Sequence, residues 1–169
     1  MTLGIKLFSL FFPILMLGQS RVGEWKSYPS FLNVRETIEV GDLLVSATSG
    51  GILLYDREAL SFETVTNIDG LVETDLSVIA EDGNGHLWLG GAAPNGTVQI
   101  YDLAKRQSVK IFNFDLWEVT AFAVSDSVVC AAYSKDGQWG ILEFVMQNGE
   151  FSYRQIYNPS DESLESING

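Results

Sequence analysis

A pattern of short apolar runs punctuated by Gly-bearing turns recurs three times along this chain, and few folds can accommodate such a recurrence. The best-preserved copy is residues 76–102. Residues 77–80 lead in, Asp82-Gly83-Asn84-Gly85 turns, and His86-Leu87-Trp88-Leu89 runs back. Residues 92–96 turn again and residues 97–101 return. Asp-Gly and Asn-Gly between apolar runs signal tight hairpins, because Gly and Asn tolerate the positive φ such turns require. An earlier copy reads Thr37-Ile38-Glu39-Val40, Gly41-Asp42, residues 43–48, Ser49-Gly50-Gly51 and residues 52–56. A later one reads residues 119–124, Ser125-Asp126, residues 127–133, Lys135-Asp136-Gly137 and residues 139–144. Each copy closes with a more polar run: residues 62–65, 108–112 and 151–156. Leu43, Leu87 and Val128 stand 44 and 41 residues apart; Tyr55, Tyr101 and Phe144 stand 46 and 43 apart.

A period of 40 to 45 residues with four short strands per copy is the signature of β-propeller blades. The second run of each copy (LLVSAT, HLWLGG, SVVCAAY) is apolar nearly throughout. Strands buried on both faces read that way, and in a propeller each blade is covered by a neighbour on either side. These runs end in small residues (Ala47-Thr48, Gly90-Gly91, Ala131-Ala132), as crowding toward an axis demands. A β-sandwich also has short strands, but it has no reason to repeat at this interval.

The expected fold is therefore all-β: a β-propeller fragment of about three four-stranded antiparallel blades plus the start of a fourth. Residues 21–36 form a lead-in, 37–66 blade 1, 67–116 blade 2, 117–158 blade 3, and 159–169 the start of a truncated fourth blade. Trp25 and Tyr28 are expected to supply an outer strand that closes the ring. Closed propellers typically need four to eight blades. The expectation is thus the N-terminal part of a longer protein, with missing blades or another chain completing the ring. Expressed alone, it should aggregate or oligomerise.

Lys6, an apolar run through Leu17 and then Gly18-Gln19-Ser20 form a secretory signal peptide over residues 1–20. The alternative is an N-terminal membrane anchor, for which the run is short against the ~20 residues a spanning helix needs. The destination would be periplasmic or extracellular. Cleavage after Ser20 removes one lysine and no acid, taking the net charge from −12 to −13. That charge argues against nucleic acid, whose phosphates require a basic face, and against docking on anionic lipid. No membrane contact is expected of the mature chain. The single cysteine, Cys130, excludes an internal disulfide framework and reads as a small hydrophobe buried in a strand.

Chemistry-bearing constellations are sparse. Asp82-Gly83-Asn84-Gly85 offers two ligand-type residues and no distal Glu, which suits a hairpin better than a calcium loop. His86 is the sole histidine, so zinc sites and His-dependent triads lack partners. It is expected at an exposed strand edge, with a ligand contact at the ring mouth as the other reading. Trp88 reads as packing. Trp117, in an inter-blade stretch, and Trp139, at a turn exit, are the better candidates for an exposed aromatic platform. Glu36, Glu39, Asp69, Glu73 and Asp75 border loops and leave a two-carboxylate hydrolase as an outside reading. No catalytic residue, cofactor or metal is assigned. The ligand-facing candidates are Trp117, Trp139 and His86.

The stretch Ile79-Ala80-Glu81-Asp82, then Gly85-His86-Leu87-Trp88-Leu89-Gly90, then Ile100-Tyr101-Asp102 resembles the two-component-regulator propeller repeat. That repeat has an Ile–Glu–Asp stretch, then Gly–Asn–Leu–Trp–Ile–Gly–Thr, then Tyr–Asp; here His86 stands for Asn and Gly91 for Thr. Ala47-Thr48-Ser49-Gly50-Gly51-Ile52 with Tyr55-Asp56 is a second match, and the third copy keeps Gly140 and an aromatic at Phe144. Residues 25–157 are similar also to exported propeller proteins such as the accessory proteins of the type IX secretion system. The resemblance implies a non-catalytic, exported module that recognises a carbohydrate or protein ligand, as part of a larger sensor-like protein. It leaves open an accessory role in secretion or surface attachment, and a fragment of a propeller glycan lyase or hydrolase.

Overall fold

The computed structural model describes residues 29–125, 127–147 and 150–157. Among these residues, twelve strands form three antiparallel sheets of four. Sheet one is β1 (Val34–Val40), β2 (Leu43–Thr48), β3 (Gly51–Asp56) and β4 (Ser61–Val65). Sheet two is β5 (Leu76–Glu81), β6 (His86–Gly91), β7 (Gly96–Asp102) and β8 (Gln107–Leu116). Sheet three is β9 (Glu118–Ser125), β10 (Val128–Lys135), β11 (Gln138–Gln147) and β12 (Glu150–Tyr157). Within each sheet neighbours in sequence are neighbours in space, and the first strands pack side by side, β1 on β5 and β5 on β9. This is the radial blade arrangement of a β-propeller fragment. Residues 1–20, Trp25, Tyr28 and residues 159–169 lie outside the described residues.

Alternation within β6 explains its uninterrupted apolar run. Leu87 and Leu89 enter a core shared with Val45, Ile52 and Leu54 of sheet one. Trp88, between them, enters a second core with Val129, Leu142 and Phe144 of sheet three. Period-two geometry sends successive side chains to opposite faces, and both faces of blade 2 are covered. Trp88 packs on Phe144 and Phe151 with ring centroids 5.2 and 5.3 Å away. Full burial of side chains this large contributes roughly 1.5–3 kcal/mol each.

Close approach dictates the small residues. A Cβ on Gly90 would lie 2.4 Å from Val78 Cγ1 and 2.8 Å from Val119 Cβ, so this glycine lets blade 3 seat against blade 2. Gly51 sits at φ +126°, and a Cβ there would meet the Val65 carbonyl oxygen at 2.2 Å. The Tyr–Asp pairs also have a physical role. Asp56 Oδ1 accepts the backbone N–H groups of Glu58 and Ala59, both at 2.8 Å. Asp102 likewise accepts Lys105 N at 2.9 Å, capping the turn that follows the strand. The Tyr101 hydroxyl donates to the Asp69 carbonyl at 2.7 Å, fixing the link between blades 1 and 2.

The pairing shifts one reading of the period. Tyr55, Tyr101 and Phe144 lie opposite Leu44, Leu87 and Val129. Leu43 and Val128 are therefore one position out of step with Leu87, and a one-residue slip moves a side chain to the other face. The first strand also starts earlier than the repeat suggested, at Val34. Its early polar residues tie blades together: Arg35 donates to Asp75 Oδ1 at 2.6 Å, and Glu36 Oε2 accepts Ile79 N at 2.8 Å.

Candidate functional site

Trp117 and Trp139, far apart in sequence, line one groove. They reach it from two different local structures. Asp136 and Gly137, at φ +50° and +77°, form the two-residue turn joining β10 to β11. Positive φ at both central positions is the primed turn that suits the twist of paired strands. Trp139 is then the second residue of β11, paired with Ser134. Trp117 lies between β8 and β9. Asn113 Oδ1 accepts Asp115 N at 3.0 Å, Asp115 takes φ +55°, and Leu116 buries its side chain. The Trp117 backbone N–H then donates to the Ser134 carbonyl at 2.9 Å. Ser134 is thus the common neighbour that brings the two tryptophans together.

The groove has a volume of about 610 Å³, with Pro94, Asp115, Glu118, Lys135 and Asp136 among its walls. Trp117 is 56% and Trp139 60% exposed. Among the described residues neither indole N–H has an acceptor and neither ring stacks on another. Two large amphipathic rings stand on hydrogen-bonded backbone and keep more than half of their surface exposed, which suits stacking and hydrogen bonding to a ligand. Lys135 Nζ donates to the Phe114 carbonyl at 3.2 Å and lies 3.9 Å from Asp115 Oδ2, so the groove's ammonium is already engaged.

His86 belongs to the other end of its blade. It begins β6 opposite Asp102, whereas the strand's far end, Gly91, leads into the turn that carries Pro94. The strand separates them by roughly 17 Å. Nor is it an exposed edge residue: its side chain is 20% exposed, and Nδ1 lies 3.0 Å from Asp82 Oδ2. Asp82 Oδ2 also accepts Trp88 Nε1 at 3.3 Å, while Oδ1 accepts the backbone N–H of Asn84 at 2.9 Å. Phe151 meets the imidazole edge-on at 5.8 Å. The Asp82–Gly85 turn is therefore organised around a buried carboxylate whose oxygens serve the turn, His86 and Trp88. The drive to satisfy that carboxylate pulls His86 inward.

Cys130 also departs from expectation. It is half-buried, on the face of β10 turned away from blade 2; burial and, less strongly, the Glu143 carboxylate push its thiol pKa up. The five loop carboxylates are engaged in architecture. Glu36 bonds blade 2, Glu39 pairs with Arg57, and Asp75 with Arg35. Asp69 Oδ2 accepts Thr66 N at 2.9 Å, and Glu73 accepts Thr74 N at 2.9 Å. Gln99, which the repeat pattern did not single out, is 1% exposed; its Oε1 accepts Val72 N at 2.6 Å and so holds the first inter-blade loop.

Comparison with solved structures agrees with the blade arrangement. The N-terminal domain of Nup159 is similar with a TM-score of 0.52 and 21% identity, over 76% of this chain and 32% of that one. An S. cerevisiae complex of Dbp5 with Nup159, Gle1, IP6 and ADP matches at 0.53 and 22% identity, over 76% of this chain and 32% of that one. The mitotic checkpoint complex matches at 0.50 and 11% identity, over 85% of this chain and 48% of that one. The chain thus spans about a third to a half of the chains it resembles. The fold is a β-propeller fragment. No protein-family model and no curated protein matches the chain.

Proposed function

We propose that the chain is a non-catalytic recognition module that takes its ligand at the inter-blade end of the propeller. The observation that carries this reading is the pair of exposed indoles, Trp117 and Trp139, without a partner among the described residues, on the walls of one groove. The engagement of the loop carboxylates and of His86 in turns and inter-blade bonds supports recognition over hydrolysis. A protein ligand is favoured because similar structures are of protein assemblies, Dbp5 bound to Nup159 and the mitotic checkpoint complex. The apolar run over residues 1–20 supports export, and the repeat over residues 76–102 supports a place within a larger sensor-like protein.

An array carrying both peptides and glycans, probed with the full chain and with a Trp117→Ala/Trp139→Ala variant, tests the reading. Features bound by the parent chain should be lost with the double variant, whose melting temperature should stay within about 2 °C because both side chains are exposed. Binding that persists in the double variant, or none in the parent, overturns it.

A further inference from the structure

We infer that the groove's occupant is a cationic, arginine-bearing segment of a partner protein; this rests on the recognition reading above and specifies its chemistry. Charge and aromaticity coincide here. Asp115, Glu118 and Asp136 stand in the walls with the two indoles, against one lysine. That lysine is drawn back onto the Phe114 carbonyl and toward Asp115, while the Asp115 side chain remains 80% exposed. The groove is therefore net negative, on a chain of net charge −12. A guanidinium stacks on an indole face through cation–π attraction, and its planar fork of N–H donors matches a carboxylate. Indole faces beside carboxylates satisfy both halves of that side chain at once. A neutral sugar would stack on the rings and donate hydroxyls to the carboxylates, but it brings no charge to offset theirs, and an anionic glycan would be repelled.

Arginine stays charged at any pH at which a protein folds, so capture should depend on ionic strength, as exposed charge attraction does. Association should also be accelerated by the field of an acidic chain.

The experiment is fluorescence anisotropy of a fluorescein-labelled peptide of alternating glycine and arginine, titrated with the full chain. Controls are the same peptide with glutamine for arginine, and labelled maltohexaose. The arginine peptide should bind and the glutamine peptide should bind at least tenfold more weakly. Trp117→Ala/Trp139→Ala and Glu118→Gln/Asp136→Asn should each weaken arginine-peptide binding by about tenfold. Glu58→Gln/Glu150→Gln, which removes the same formal charge from exposed positions away from the groove, should change it less than twofold. Equal loss in that control pair shows unspecific attraction to an acidic chain and overturns the inference. Binding of maltohexaose or the glutamine peptide that requires both tryptophans and ignores the charge variants overturns the cation and leaves the recognition reading standing. Binding of no probe, with array features still lost in the tryptophan variant, does the same.

Discussion

Tyr101 and Tyr55 occupy the same place in successive blades, yet one is fully buried and the other half-buried. The difference lies in the neighbours and not in the residue. Tyr101 faces the inner wall of blade 1 and donates its hydroxyl to the Asp69 carbonyl. Tyr55 faces away from blade 2 and packs on the exposed Phe62 of its own sheet, 4.7 Å between rings. Blade 3 shows the mirror of this. Its face toward blade 2 holds Val129, Leu142 and Phe144, while Ala121 and Ala123 on the other face are exposed. A blade gains its stability from what stands on either side of it, as in any stacked repeat.

That contrast can be broken most forcefully at tryptophan. Trp88→Ala should cost about 3–5 kcal/mol in a denaturant melt, because it empties the core between blades 2 and 3 and leaves Asp82 short of a donor. Trp139→Ala, at an exposed position, should cost less than ~0.5 kcal/mol. Equal effects would mean that the two faces are not differently covered. Gly90→Ala comes next. Its methyl would press on Val78 and Val119, and overpacking of that kind costs about 1–3 kcal/mol. Removing the hydroxyl sharpens the comparison: Tyr101→Phe should cost about 1 kcal/mol, while Tyr55→Phe should leave the melting midpoint unchanged. The smallest expected effect is on pH dependence. Hydrogen bonds from Lys105 hold the Asp102 carboxyl below its ordinary value. Its stabilisation is therefore complete above the ordinary Asp range and is lost as pH falls through the lower, folded value. Asp102→Asn should flatten that acid limb of the stability curve.

The blades were legible because their signals are local. Asp-Gly turns, paired apolar runs and a fixed spacing of aromatic residues reveal strands without knowledge of their partners. What escaped was set by register and by distant backbone. Leu43 and Val128 look equivalent to Leu87 until pairing places Leu44 and Val129 opposite the aromatics. His86 reads as an edge residue until Asp82, four positions earlier, is seen as a buried carboxylate needing donors. The groove was half legible. Trp117 and Trp139 stood out for their context, but only the Trp117–Ser134 hydrogen bond makes them neighbours. Pro94, from a turn of another blade, gave no sequence sign of joining them.

Gln99 and Lys135 hold successive inter-blade crossings by different means. The first uses a neutral amide sealed from water, and the second an ammonium that reaches the Phe114 carbonyl from a partly open position. Dissolved ions compete with the second and have little purchase on the first. Salt should therefore loosen the crossing that presents Trp117 before it disturbs the one that precedes blade 2. The crossing with the least insulated tether is the one that carries the recognition surface.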